Sequence, residues 1–175
     1  MDIKHITLLN GPQKVAPFSH AVRAGNLLFI TGQMPTLKNN KSKLISGGIE
    51  EQTHQVMKNL VDVLKGCNSS LKKVIFSRVY LVNFKDFDKM NKVYASYFDK
   101  NKLPARTCIG VTELAVSASI EMILLQVFKF LFDIHNSCSF QLFSSSIPHV
   151  ITISCQSFYY KITINSTFNN VFQIS

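Results

Sequence analysis

The sequence predicts an α+β fold, a single sheet with two helices packed on one of its faces. Two observations predict it. Apolar residues recur at helical spacing in two stretches, one opening at Gly48 and the other near Asp86. The remaining apolar segments are short, rich in β-branched residues and punctuated by Gly, Pro and Asn, as strands are. In chain order this gives strand, hairpin, helix, strand, helix, strand, strand. At 175 residues the chain suits one ordinary domain with one core.

Ile3 to Leu9 is a short apolar stretch ending at Asn10-Gly11-Pro12, an edge strand entering a turn. Ser19 to Arg23 and Asn26 to Thr31 flank Ala24-Gly25 as a hairpin, and Pro35 ends its second strand. Leu37 to Ser46, rich in Lys, Asn and Ser, is expected to be an irregular loop, compatible with disorder. From Gly48 to about Cys67, Ile49, Val56, Met57, Leu60, Val61 and Leu64 form one helical face. Glu50 and Glu51 stand early and Lys65 late, as the helix dipole favours, and Gly66 and Asn68 stop the helix. His54 is a lone histidine on the polar side and is expected to be exposed, without a chemical role.

Val74 to Val82 has apolar side chains on both faces apart from Ser77 and Arg78, the pattern of a central strand. Asn83 or Asp86 caps a second helix whose buried stripe is Phe87, Met90, Val93, Tyr94, Tyr97 and Phe98. Those aromatics are read as core and not as a cofactor box. The uncovered sheet face must then be polar or covered by another molecule.

The candidate chemistry lies in the last two strands. In Pro104-Ala105-Arg106-Thr107-Cys108-Ile109-Gly110-Val111, alternation sends Arg106, Cys108 and Gly110 to one face. In the strand around Ser119-Ile120-Glu121-Met122, Ser119, Glu121 and Ile123 share a face, opposite the apolar Ile120, Met122 and Leu124. If Leu114 to Ser117 closes an antiparallel hairpin, Arg106 falls directly opposite Glu121. A guanidinium able to grip a planar anion then shares a face with a carboxylate able to accept a proton. Spacing alone favours the plainer reading, a solvated cross-strand ion pair, because such pairs are common and weak.

A formal charge of +9 comes mainly from lysines at Lys38 to Lys43, Lys72-Lys73, Lys85 to Lys92 and Lys100 to Lys102. Such charge can attract nucleic acid or anionic lipid. These lysines form no single stripe and no stacking aromatics are interleaved with them, so they read as solvated surface whose field can draw in small carboxylates. Cys67, Cys108, Cys138 and Cys155 lack the paired short spacing of zinc or dithiol sites, so the thiols are expected to be reduced in an intracellular protein. The N-terminus lacks the apolar run of a secretory signal, and the expectation is a cytoplasmic protein without a membrane span, an organellar location remaining open. The sequence also offers no Ser-His-Asp arrangement, metal-ligand cluster or phosphate-binding glycine loop.

Pro-Ala-Arg-Thr-Cys-Ile-Gly-Val with the later Ile-Glu-Met resembles the C-terminal signature of the RidA family (YjgF, also called endoribonuclease L-PSP). Further matches follow in order at Ala16 to Val22, Leu28 to Pro35, Gly48 to Thr53, Asn59 to Leu64 and Asp86 to Tyr94, covering roughly residues 2 to 125. The resemblance implies a chorismate-mutase-like fold, a homotrimer with sites in the clefts between subunits, and no cofactor or metal. It implies hydrolysis of enamine and imine intermediates such as 2-aminoacrylate to 2-keto acids and ammonia. Arg106 would bind the substrate carboxylate and Glu121 would position or activate water. Thr31, Gly32, Gln33 and Asn91 match positions that shape the site, with Cys108 and Phe18 at its wall. The family commonly has Tyr where this chain has Phe18, which removes a hydroxyl from the pocket. Family members have also been described as endoribonucleases that inhibit translation, so an RNA-directed activity is the competing reading, and a non-catalytic ligand-binding trimer a third.

Beyond Leu125 the resemblance ends and charge almost vanishes, leaving Lys129, Asp133 and Lys161. The expectation is a RidA-like domain at 1–125 followed by an atypical tail at 126–175, too polar for a convincing membrane span. We read that tail as disordered or as non-native coding sequence, on the hypothesis of translated intron in an AT-biased gene. A transcript reading continuously through Ser175 would sink the second idea. Ile123 also replaces a second acidic residue often found in the family's last strand.

Overall fold

The computed structural model describes residues 2–128, 150–155 and 158–163. The chain divides into two compact units, Met1–Lys129 and Phe130–Ser175. In the second, β9 (Val150–Cys155) pairs antiparallel with β10 (Phe158–Thr163). Most of the tail on which the intron hypothesis was formed lies outside the described residues.

The first unit is a six-stranded sheet with helices on one face. Its elements are β1 (Ile3–Ile6), β2 (Ala21–Ala24), β3 (Leu27–Gln33), the small hairpin β4 (Thr36–Leu37) and β5 (Asn40–Leu44), α1 (Ile49–Gly66), β6 (Val74–Leu81), α2 (Phe87–Ala95), β7 (Ala105–Gly110) and β8 (Ile120–Val127). The sheet order is β1-β2-β3-β8-β6-β7. Only β6 and β7 run parallel, joined through α2, so the sheet is mixed. The α+β class, the single mixed sheet and its two helices agree with the sequence.

The predicted faces explain most of the core. Val56, Met57, Leu60 and Leu64 of α1, with Val63 in place of the expected Val61, which is only half-buried, are fully buried against Leu28 and Ile30 of β3 and Ile120, Met122 and Leu124 of β8. Each such side chain contributes about 1.5–3 kcal/mol by leaving water. Buried Asn59 fastens α1 to the end of β3, its amide donating to the Met34 and Thr36 carbonyls at 2.9 Å each. Glu51 reaches back to accept the Gly48 N–H at 2.8 Å, and Asn68 (φ 55) ends the helix in the left-handed region, as read from Gly66 and Asn68. His54 is exposed, and its Nδ1 shares a 2.9 Å hydrogen bond with the Tyr97 hydroxyl.

Two expectations need correction. The Leu37 to Ser46 stretch holds the end of β4 and all of β5, whose antiparallel pairing is held at its base by Ile45 N–H donating to the Pro35 carbonyl at 2.9 Å. More consequentially, β7 and β8 are not a hairpin. β6 lies between them, pairing through Tyr80 with Glu121 on one side and Ile109 on the other, and through Ser77 with Leu124 and Arg106. The connection from β7 to β8 skips across the end of β6, and Val116 and Ser117 within it take φ values of 55 and 57. For β-branched Val116 that conformation costs about 1–2 kcal/mol.

Candidate functional site

Glu121 belongs to the sheet face away from the helices, because its neighbours Ile120 and Met122 fill the core. The register of β3 against β8 shifts between Ile30 and Gln33, so this stretch bulges beside Glu121. There the sequence supplies Gly32, and the absence of a side chain is required: a Cβ at that position would fall onto the Glu121 carboxylate. Gln33, nearly buried, braces the bulge by donating its amide to the Thr31 and Gly32 carbonyls at 3.1 and 3.2 Å. Thr31 donates its hydroxyl to the Ser19 carbonyl at 2.6 Å, and its N–H to the His20 carbonyl at 3.2 Å. The segment carrying half-buried Phe18 is thereby tied to the same corner. Buried His20 anchors that segment from behind, accepting the Leu8 N–H at 3.1 Å on Nδ1 and donating from Nε2 to the Pro12 carbonyl at 2.7 Å. Burial raises the Glu121 carboxyl above its ordinary value of 4.5. It is therefore more easily protonated than a surface carboxylate, which suits a group that takes and returns a proton.

Arg106 stands on the other face. It pairs in register with buried Ser77, on the helix side of the sheet, and its Nη1 donates to Asn91 Oδ1 of α2 at 2.6 Å. The guanidinium carbon lies 4.9 Å from the Tyr94 ring centre and 5.7 Å from that of Phe87. Asn91 is its one hydrogen-bond partner among the described residues, so the remaining N–H donors can meet an anion. Cys108, two residues on, shares this face and packs against the core. Burial raises its thiol, more than Arg106 nearby and the Ile109 N–H lower it.

The expected residues therefore sort into two groups: Glu121, Gly32, Thr31, Gln33 and the Phe18 segment in one, Arg106, Asn91 and Cys108 in the other. The expectation that Arg106 and Glu121 oppose each other on one face is overturned by the intervening β6. Two strand spacings and a three-residue offset separate their backbones by about 14 Å, and their side chains leave opposite faces. A hollow of about 300 Å³ at the start of α1 is lined by Gly48, Glu51, Asp86, Lys89 and Ser119 among others, and by none of the expected site residues. The sequence places Tyr94 in the core, where it lies, and marks Ser77 as polar but joins neither to the site, although a serine inside a strand apolar on both faces is itself a signal that a buried partner must exist.

Comparison with known proteins defines the class that this arrangement belongs to. The endoribonuclease L-PSP family matches residues 9–127, and the chain belongs to that family, the RidA/YjgF proteins. It is 42% identical over 113 residues to a RutC family protein of Pyrococcus horikoshii, covering 65% of this chain and 88% of the relative. It is 36% identical over 118 residues to Saccharomyces cerevisiae Mmf1, which is named a mitochondrial protein, covering 67% of this chain and 79% of that one. The crystal structure of yeast Mmf1 superposes with a TM-score of 0.68 at 33% identity, over 73% of this chain and 100% of that one. Escherichia coli TdcF, in a structure with bound serine, shares the fold with a TM-score of 0.65 at 23% identity, over 72% and 99% of the two chains. Among the described residues no helix is long and apolar enough to cross a membrane.

Proposed function

We propose that this protein hydrolyses 2-imino and enamino acids such as 2-aminoacrylate and its imine tautomer, releasing a 2-keto acid and ammonia. The observation that carries the reading is the division of the site. Glu121 and Arg106 leave opposite faces of one sheet, so a site using both is assembled from two copies, with Glu121 of one facing Arg106 of the next. The open sheet face supplies a surface for this: Leu27, Phe29 and Val127 are more than one-third exposed, and cross-strand pairing puts Leu27 beside Val127 and Phe29 beside Leu125. An apolar sheet face of this kind is stable in water only when covered, and closed cyclic assembly into a trimer covers it on every subunit.

In the assembled site Arg106 holds the substrate carboxylate through paired charge-assisted hydrogen bonds, with Asn91 fixing its orientation. Glu121 takes a proton from water as the water oxygen bonds to the imine carbon, and the proton passes to nitrogen. Collapse of the resulting carbinolamine, with its hydroxyl proton passing by way of Glu121 to the nitrogen, breaks the C–N bond, frees ammonia and leaves the keto group. Because the imine is intrinsically reactive, positioning and proton transfer suffice for large acceleration. The serine held by TdcF is a small amino acid with the carboxylate that this reading requires.

The test is keto-acid release from enzymatically generated 2-aminoacrylate, comparing the protein with Arg106→Ala and Glu121→Ala variants. Acceleration abolished by both substitutions is expected. No acceleration by an assembled oligomer would move the assignment to ligand binding or to RNA cleavage, which the family's endoribonuclease description and the +9 charge favour as the second reading. Cleavage that depends on Glu121 and weakens steeply with salt would establish that alternative.

A further inference from the structure

We propose that Tyr94 is a positioning residue for carboxylate recognition, acting through Arg106; the inference rests on the role given to Arg106 above. Three observations meet at this ring. The Arg106 guanidinium lies over it at 4.9 Å, within cation–π range, while Phe87 supports the same group at 5.7 Å. The Tyr94 hydroxyl is held by Ser77 Oγ at 2.8 Å, in the interior. Ser77 is also the residue beside Arg106 in the β6–β7 register. The helix that shelves the arginine is thus fastened to β6 at the residue paired with Arg106 on the neighbouring strand.

Such a shelf does what one hydrogen bond cannot. Asn91 fixes a single Nη1 position, about which the guanidinium plane can still turn. Rings packed on the group restrict that turn, while the donors not taken by Asn91 stay free to meet an anion. A planar fork held in one orientation matches a carboxylate and loses little freedom on binding it. Tyr94 touches neither substrate nor water in this scheme, so its removal should alter binding and leave the chemical step largely intact.

The experiment uses the full chain and two readouts, steady-state kinetics with generated 2-aminoacrylate and direct calorimetric binding of 2-oxobutanoate as a carboxylate probe. Tyr94→Leu should raise KM and the probe Kd about tenfold with kcat changed less than about threefold. Tyr94→Phe, which keeps the ring and drops the Ser77 bond, should retain most of the affinity. Phe87→Leu, at a half-buried position, should show a smaller loss of the same kind and serves if Tyr94→Leu does not fold. Probe binding that depends on Arg106 but is unchanged in both leucine variants overturns the shelf. Equal losses of kcat in Tyr94→Phe and Tyr94→Leu also overturn it, by assigning the role to the hydroxyl. Arg106-dependent, ring-dependent binding without any turnover upholds the shelf while sinking the deaminase reading. Binding indifferent to Arg106→Ala removes both.

Discussion

Glu121 and Arg106 are the two charged ends of the proposed site, and they are supported in contrasting ways. Around Glu121 the support is backbone: a glycine with no side chain, a bulge in β3, and carbonyls occupied by Gln33 and Thr31. Around Arg106 the support is side chain: an amide, two aromatic rings and the Ser77–Tyr94 hydrogen bond. Backbone support leaves no room for added atoms, whereas side-chain support is assembled from separable parts. Substitutions at the first end should therefore act in an all-or-none manner, and at the second in increments.

The largest expected effects probe the backbone-built end. Glu121→Gln, which keeps the shape and removes the base, should lower kcat by about 10²–10⁴-fold in the keto-acid assay. Gly32→Ala places a methyl group where the carboxylate lies and should cost about 10²-fold through misplacement alone. An active G32A protein would mean that the carboxylate moves freely and that the contrast is wrong. At the side-chain end, Asn91→Ala removes one hydrogen bond to a charged group and should raise KM about tenfold, with kcat nearly preserved.

A thermal measurement sharpens the same comparison without turnover. Burial raises the Glu121 carboxyl above 4.5, so the folded state holds its proton more tightly than the unfolded chain does. The folded state then binds more protons across the interval from 4.5 up to the raised folded value, and stability contributed by this group falls as pH rises through that interval. It is fully present below the interval. Melting curves against pH should show this decline in Arg106→Ala, where no guanidinium across the site opposes the shift, and lose it when Glu121→Gln is added; identical pH profiles would remove the claim that the carboxyl is buried. The smallest effect is expected from Phe18→Tyr, a change of about two- to tenfold in kcat/KM, which measures whether a hydroxyl on the Ser19 segment reaches substrate or water.

Much of this molecule can be read from its periodicities. The face of β8 that enters the core, Ile120, Met122 and Leu124, follows from alternation, and both helices from their apolar stripes. The signature around Arg106 and Glu121 names the residues of the proposed site, while their placement is not legible in it. Two consecutive strands were joined as a hairpin because neighbours in sequence usually pair. The order strand, helix, strand from Val74 to Gly110 carried the opposing signal, since such a unit makes β7 a parallel neighbour of β6 and displaces β8 elsewhere. Sequence separation could not show that β8 enters between β3 and β6, because that choice depends on non-local pairing.

That insertion has a consequence for how the chain is made. The strand at the middle of the sheet is the last of the first unit to leave the ribosome, and both of its partners, β3 and β6, precede it by tens of residues. Until it arrives, the β1-β2-β3 ribbon and the β6–β7 pair each present an unfilled edge, the kind of surface that recruits other nascent chains. Synthesis halted before Ile120 thus yields two incomplete sheets awaiting the same strand, and the residues after Glu121 in β8 matter for solubility during translation before they matter for any chemistry.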